Sequence, residues 1–471
     1  QALANPVRTQ EALLKRIVAL YAPTELGRLL HLDRVHDADD FRREVPLTNA
    51  DFYDPLFQRV HAENPPNAVT TETLAFLARS SRTTRAAKFI PYPHVMIKAF
   101  KQFETALAMH QMRETGNYTL LDGRLLITAG SPTVERTASG LTVGFASGIM
   151  AALAPKMAAK IVLPSRPVLE MTDWQAKIAA TVDEAKNQDV RVMTGIPTWV
   201  VPILEHLLER TGKRTAREVW PNLAAYYWSG CPIGVYEPRL RALFGPEVAF
   251  REVYSAAEAP VAYQWKLGEP GLVLDVERTY FEFLEADPAS PVPGGHRRLT
   301  LGEVEVGKAY KLVVSSLGGL CAYRLEDVIE VLALDPPLIR FLGREIEEMN
   351  LGGEKLPIRV MRDALAGWPV ENFFVAPSEG GKAYQVYVEG PAMDLDAFAR
   401  EVDGRLQAAH GLYANLRKHD VALGPLVATA LAAGSIQRFV GRSRQFGQGK
   451  FLHLYDTRDI VDQVLGQEPL S

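Results

Sequence analysis

Ser80, Ser81, Thr83 and Thr84 place four hydroxyls within a nine-residue span that ends at Lys88. The span follows the apolar run Leu74-Ala75-Phe76-Leu77-Ala78, which reads as a strand. Hydroxyls and backbone N–H groups bond phosphate oxygens, and a lysine adds a point charge, so the span has the chemistry of a phosphate-gripping loop. A solvated Ser/Thr turn is the alternative reading of the same residues. Arg82 and Arg85 stand where such a loop normally carries glycine.

Three more segments carry groups that suit a nucleotide. Tyr254-Ser255-Ala256-Ala257-Glu258 follows an apolar strand. Its carboxylate would hold Mg2+ beside a triphosphate, because hard cations take oxygen ligands, and its tyrosine would cover a base. In Tyr323-Arg324-Leu325-Glu326-Asp327-Val328, the aspartate is expected at the start of a strand. There it would accept hydrogen bonds from ribose hydroxyls, or act simply as a turn residue. Gly343-Arg344, followed by Gly352-Gly353-Glu354-Lys355, reads as a hinge or an ordinary linker.

The elements that must position these groups are legible from periodicity. The first 60 residues read as helical, with Leu13, Leu14, Ile17, Val18 and Tyr21 at helical spacing. Helices are expected from Pro93 to about Arg113, from Thr172 to Asn187 and from Pro197 to Gly212. Strands at Leu125–Ile127, Arg191–Met193 and Leu223–Trp228 alternate with them, which argues an α/β fold with parallel pairing. From Val248 strands dominate. Beyond Gly343 a fresh α+β unit begins, with a hairpin (Phe373–Val375, Tyr384–Val388) and a helix capped by Asp394. We therefore expect a large N-terminal domain of mixed sheets and helices (1–342) and a small mobile C-terminal domain (343–471).

Composition narrows the function. The chain has 471 residues, 47% hydrophobic and 23% charged, with a net charge of −4. That is the balance of a globular protein, and it gives no electrostatic footprint for nucleic acid or a membrane surface. Two cysteines, Cys231 and Cys321, exclude a disulfide scaffold and fit a cytoplasmic protein. No signal peptide is visible, and the most apolar window, Leu141 to Pro155, is too short to span a bilayer and reads as buried core. No Gly-x-Ser-x-Gly occurs, and the ten histidines show no metal-ligand spacing.

Taken in order, the Ser/Thr loop with its lysine, Tyr-x-x-x-Glu, Tyr-Arg-x-x-Asp and Gly-Arg resemble the adenylate-forming superfamily. More narrowly, the chain resembles the Gretchen Hagen auxin-responsive acyl acid amido synthetases in their bacterial form. Asp40–Thr48, Lys88–Tyr92, Thr194–Trp199, Val219–Leu223 and Gly447–Lys450 carry the likeness along nearly the whole chain.

The resemblance implies a fold and a reaction. A large adenylation-type domain and a small cap would use ATP and Mg2+ to adenylate a small carboxylic acid. An amine or amino acid would then displace AMP. Ser80, Ser81, Thr83, Thr84 and Lys88 would hold the phosphates, and Glu258 would help place Mg2+. Tyr254 and the backbone of Ser229, Gly230 and Cys231 would line the adenine pocket. Asp327 would bind the ribose, with Arg344 near the hinge. The acyl pocket would draw on the Thr194–Trp199 turn (Thr194, Ile196, Trp199), residues near Gly130, and the helix after Tyr92, where His94, Lys98 and His110 are the polar candidates. Lys450 would swing over the reacting phosphate as the cap rotates, unless it belongs to a solvated basic face.

The chain departs from the family pattern at the nucleotide site. Arg82 and Arg85 replace glycines of the loop, Glu326 replaces a glycine beside the aspartate, and Ala259-Pro260 follow Glu258 where glycine is common. The arginines would either grip phosphate oxygens or block nucleotide entry. Two other functions therefore stay open: a non-adenylating binding module on the same fold, and a ligase with an alcohol or thiol acceptor. Oligomeric state is not read from these residues.

Overall fold

The computed structural model describes residues 2–80, 88–153, 161–230, 233, 236–285, 298–344, 348–349, 351, 356–379, 383–417, 423–442, 453–455 and 458–465. It divides into two compact units, one of 1–233 with 237–341 and one of 342–471 with 234–236.

The N-terminal helix Pro6–Tyr21 starts with Asn5 accepting from Arg8 N (3.1 Å) and with proline in its first turn, where no N–H is needed. Of the residues read at helical spacing, Leu13, Leu14, Ile17 and Tyr21 are buried and Val18 is half-buried, and Gln10 joins the buried stripe. Gln10 is buried because the backbone needs it. Its amide donates to Val276 O and Thr279 O (2.8 Å each) and accepts from Phe281 N (2.7 Å). A glutamine so used is satisfied at both ends, which removes the cost of burying it.

Twelve strands form one hydrogen-bonded series among the described residues. One part of it is parallel: Arg124–Ile127, Val190–Gly195, Ala225–Trp228 and Ala249–Ala256 lie side by side. The helices Trp174–Ala185 and Pro197–Thr211 fall between these strands in sequence, the α/β alternation expected above. Asp173 caps the first (to Ala176 N, 2.6 Å), and Gly212, at φ +66°, closes the second. The helix after Tyr92 runs from His94 to Thr115 and ends at Gly116 with φ +68°. Leu141–Pro155 begins as a buried strand (Thr142–Gly144) and continues as the helix Ala146–Ala152. No helix among the described residues is long and apolar enough to cross a membrane.

The smaller unit has a core of its own. Asn372–Pro377 pairs antiparallel with Tyr384–Glu389, as the hairpin reading predicts, and Val427–Ala430 adds a parallel third strand. Asp394 accepts from Asp396 N and Ala397 N (3.0 and 2.9 Å) to start the helix Leu395–Ala409, whose Phe398, Val402 and Leu406 are buried.

Candidate functional site

Parallel strands end their backbone together, so loops and side chains from several strands converge at the carboxyl edge of such a sheet. Here Ile127, Thr194, Tyr227 and Arg251 are aligned, and the next row holds Gly195, Trp228 and Glu252. The predicted turns leave from this edge. Gly230 (φ +85°) follows Trp228, and a Cβ there would lie 3.1 Å from Cγ1 of Ile196. The Ser229–Gly230 turn and the Thr194–Trp199 turn therefore touch. Trp199, in the first turn of its helix, is buried with its ring 5.6 Å from that of Trp174.

The strand Ala249–Ala256 continues past the parallel edge and turns back at Ala257-Glu258 into Ala259–Gln264. Glu258 thus sits in a tight hairpin turn. Tyr92 anchors that turn: its hydroxyl donates to Ala257 O (2.7 Å). Burial, and then the charge of Glu258, hold the Tyr92 phenol well above its ordinary pKa, so the phenol stays a donor. Tyr92 ends the strand Lys88–Tyr92, which pairs antiparallel with Phe76–Ser80 out to Ser80 opposite Lys88. The strand that Lys88 opens is therefore also the one that holds the Glu258 turn. Ser81, Arg82, Thr83, Thr84 and Arg85 lie outside the described residues, as do Cys231 and Lys450.

Asp327 is buried, and it accepts a hydrogen bond from the Tyr254 hydroxyl. Two segments 73 positions apart meet in this bond. The Tyr254 ring also lies edge-on to Phe341, centroids 5.7 Å apart. The aspartate does not begin a strand, as its sequence context suggests. It lies inside the long strand Tyr323–Leu334, at an irregularity where only Leu312 of the partner strand lies between the pairs Lys311–Val328 and Val313–Arg324. Glu326 sits in this bulge at φ +63°, a left-handed backbone that favours glycine. The bulge lets the strand re-aim Asp327 without ending.

Left-handed backbone costs an ordinary L-residue roughly 1–2 kcal/mol, and a β-branched one more. Glycine relieves that strain but adds freedom to the unfolded chain, up to about 1 kcal/mol. Thermal unfolding is therefore expected to rank Glu326→Val well below Glu326→Gly. Equal melting points for the valine and glycine variants would contradict the assignment.

The Asp40–Thr48 segment is explained by the same strand. Thr48 N donates to Ala322 O (2.9 Å), and Arg324 N donates to Thr48 O (3.0 Å). Thr48 Oγ1 reaches Cys321 O at 2.7 Å. This clamp holds the entrance of the Tyr-Arg-x-x-Asp strand.

Residues 1–183 match the GH3 family N-terminal domain, and 272–344 match the GH3 family central domain. The chain belongs to the GH3 family. The probable indole-3-acetic acid-amido synthetase GH3.2 of Oryza sativa subsp. japonica is 34% identical over 82 residues, 16% of this chain and 13% of that one. The probable indole-3-acetic acid-amido synthetase GH3.6 of the same plant is 24% identical over 243 residues, 50% of this chain and 41% of that one. The chain thus spans less than half the length of these curated relatives. Among solved structures, GH3.15 acyl acid amido synthetase superposes with a TM-score of 0.80 at 18% identity, over 99% of this chain and 94% of that one. The 2-hydroxyisobutyryl-CoA ligase gives 0.61 at 14% identity, over 98% and 91%. The fold is that of adenylate-forming enzymes.

Other predicted positions fall at different places in this GH3 chain. His94 and Lys98 are exposed on the first turns of their helix. His110, far along the same helix, bonds Trp265 O (2.5 Å) and stacks on its ring (4.6 Å). Burial holds its pKa down despite that bond and the nearby Glu114. It borders the ion pair of Glu114 with the fully buried Arg251, a packing network between helix and sheet. Arg344 ends the strand Pro337–Arg344.

Three polar groups at the carboxyl edge escape a reading of motifs. Lys177, buried, donates to Ala129 O (3.0 Å) and Leu169 O (2.8 Å) and so ties down the loop near Gly130. Burial lowers its pKa to about 8. Thr128 Oγ1 is buried with no hydrogen-bond partner among the described residues. Glu252 lies one pleat before Tyr254. Its only sequence signal is a charge within an interior strand.

Proposed function

We propose that this chain is an ATP-dependent ligase that adenylates a carboxylic acid and transfers the acyl group to an amine, forming an amide. The observation that carries the reading is the Tyr254–Asp327 hydrogen bond beside the Glu258 turn, since it joins two motifs that suit one nucleotide. The carboxylate of Asp327 suits ribose hydroxyls, the Tyr254 ring suits a base, and the Ser229–Gly230 turn suits the edge of that base. Ser80, Ser81, Thr83, Thr84 and Lys88 are assigned to the phosphates, with Arg82 and Arg85 as added cations. Thr194, Ile196 and Trp199, with His94, Lys98 and His110 as polar candidates, are assigned to the acyl side.

The donor set suits Mg2+. No three His, Cys, Asp or Glu groups converge among the described residues, and Glu258 alone offers a carboxylate at the turn. Mg2+ is commonly held by one or two carboxylates together with substrate phosphates. When bound it would neutralise charge on the phosphates.

The reaction has two halves. The carboxylate attacks the α-phosphorus of ATP and pyrophosphate leaves. The amine then displaces AMP. We assign residues 343–471, with Arg344 at the hinge and Lys450, to a cap that separates the halves, in a cytoplasmic enzyme. The test is acid-dependent exchange of labelled pyrophosphate into ATP, followed by amine-dependent AMP release, over a panel of aromatic and aliphatic acids. Exchange with at least one acid is expected. Absence of both exchange and calorimetric ATP binding would overturn the reading in favour of a non-adenylating module. Release of AMP only with alcohols or thiols would redirect the acceptor.

A further inference from the structure

An amine is mostly protonated at neutral pH and has no lone pair to attack with. Amide formation therefore needs a group that removes a proton at the point of attack, and such a base works best with a pKa near the working pH. The described residues offer one carboxylate with the right placement.

Glu252 lies in the last aligned row of the parallel edge, beside Trp228 and one strand from Gly195. Side chains alternate along a strand, so Glu252 shares a face with Tyr254 and not with Arg251. That face is the one on which Tyr226 and Phe250 pack against Phe244. Glu252 is therefore one pleat from the tyrosine that meets Asp327.

The carboxyl of Glu252 makes no hydrogen bond or ion pair among the described residues; its backbone N–H alone bonds Gln264 Oε1 (3.1 Å). A half-buried carboxylate on an interior strand, with no partner among the described residues, serves no evident packing purpose. The groups around it do not neutralise it. Tyr254 on its own strand is turned to Asp327. Tyr226 on the neighbouring strand donates to Gly195 O (3.0 Å). Gln264 on the other side is uncharged. Arg241, on the helix Glu237–Phe244, lies over the Phe250 ring (3.9 Å) and pairs with Glu237. Burial alone raises the Glu252 carboxyl to about 7, where a carboxylate can both accept and release a proton at neutral pH.

We infer that Glu252 is the general base for the acceptor amine, receiving its ammonium group at the carboxyl edge of the parallel sheet and taking one proton from it. This inference rests on the amide-forming reading above. The freed nitrogen lone pair forms the C–N bond at the acyl carbonyl carbon. The bond from that carbon to the AMP phosphate oxygen breaks, and its electron pair leaves with AMP. The second proton of the nitrogen passes to water.

The experiment separates the two half-reactions in the full-length protein. Pyrophosphate exchange is measured with the acid that exchanges fastest, and AMP release with a panel of amino acids, from pH 5.5 to 9.5. In the parent, transfer is expected to rise with pH through about 7 as Glu252 loses its proton. In Glu252→Gln, transfer at pH 7 is expected to fall about 100-fold more than exchange does. The limb near pH 7 should be replaced by a climb toward the amine's own pKa. Glu252→Asp, which keeps a carboxylate, should retain a limb and part of the rate. Melting curves of both variants report folding, and the aspartate variant carries the test if the glutamine variant does not fold. Equal losses in exchange and transfer, or an unchanged limb, would overturn the role of Glu252. Lack of exchange in the parent would instead overturn the ligase reading, and this inference with it.

Discussion

Gly195→Ala is expected to destabilise the larger unit by about 3 kcal/mol or more, enough to reduce soluble yield sharply. A Cβ built at Gly195 lies 1.6 Å from Thr128 Oγ1 and 2.8 Å from Thr128 Cβ. Neither atom has an easy escape. Gly195 is paired to Trp228 in the parallel ladder, and Thr128 is buried and held by its N–H to Thr194 O (2.9 Å). Close-packed interiors transmit such an overlap to the backbone. Thr128→Ala removes the oxygen that clashes first, and that oxygen makes no hydrogen bond among the described residues. A double-mutant cycle by chemical denaturation should therefore give a coupling of at least ~1 kcal/mol between the two positions. A Gly195→Ala protein within about 0.5 kcal/mol of the parent would show that the two strands part easily. The edge on which the proposed site is built would then be soft.

Asp327→Ala is expected to lower pyrophosphate exchange about 100-fold, with the loss in KM for ATP. Hydrogen bonds to a charged group contribute roughly 1.5–3 kcal/mol each, and a ribose offers two hydroxyls. Two such bonds at the low end sum to about 3 kcal/mol, or more than 100-fold in affinity. A structural role for Asp327 would look different. Losing the Tyr254 bond would lower the melting point but leave the ratio of ATP to 3′-deoxy-ATP unchanged. The ribose reading requires the parent to prefer ATP and Asp327→Ala to lose that preference. Tyr254→Phe supplies the control: it removes the phenol's bond to Asp327 and keeps the ring, so the preference for ATP should survive. A parent indifferent to the 3′-hydroxyl would overturn the assignment of Asp327.

Much of the fold was legible because its signals are local. A proline at the start and a glycine at the end mark the helix Pro197–Thr211 whatever surrounds it. The same holds for Asp173 and Asp394 as caps. The order of the chemical segments was legible too, since each motif is a short run. The GH3 family matches fall on the stretches holding Ser80–Lys88 and Asp327.

The features that local signals do not carry have a common cause. Asp327 reads as a strand opener because charged Arg324, Glu326 and Asp327 interrupt the apolar pattern. The strand runs through them because Thr48, from the distant N-terminal region, supplies backbone partners at its entrance. No local rule foretells a left-handed glutamate; it follows from a register shift that needs both strands in place. Glu252 carries no motif, and its interest lies in what surrounds it. The desolvation that lifts its pKa comes from strands and helices that only folding assembles.

By itself, then, the sequence determined the succession of helices and strands, the caps that bound them, and the types and order of groups suited to a nucleotide. Tertiary structure alone decided that Tyr254 bonds Asp327, that Tyr92 holds the Glu258 turn, and that the Glu252 carboxyl has no partner among the described residues at the carboxyl edge. The reason is physical. Propensity and capping act over a few residues, whereas burial and hydrogen-bond partnership depend on chain brought from far away, as across the 165 positions between Tyr92 and Ala257.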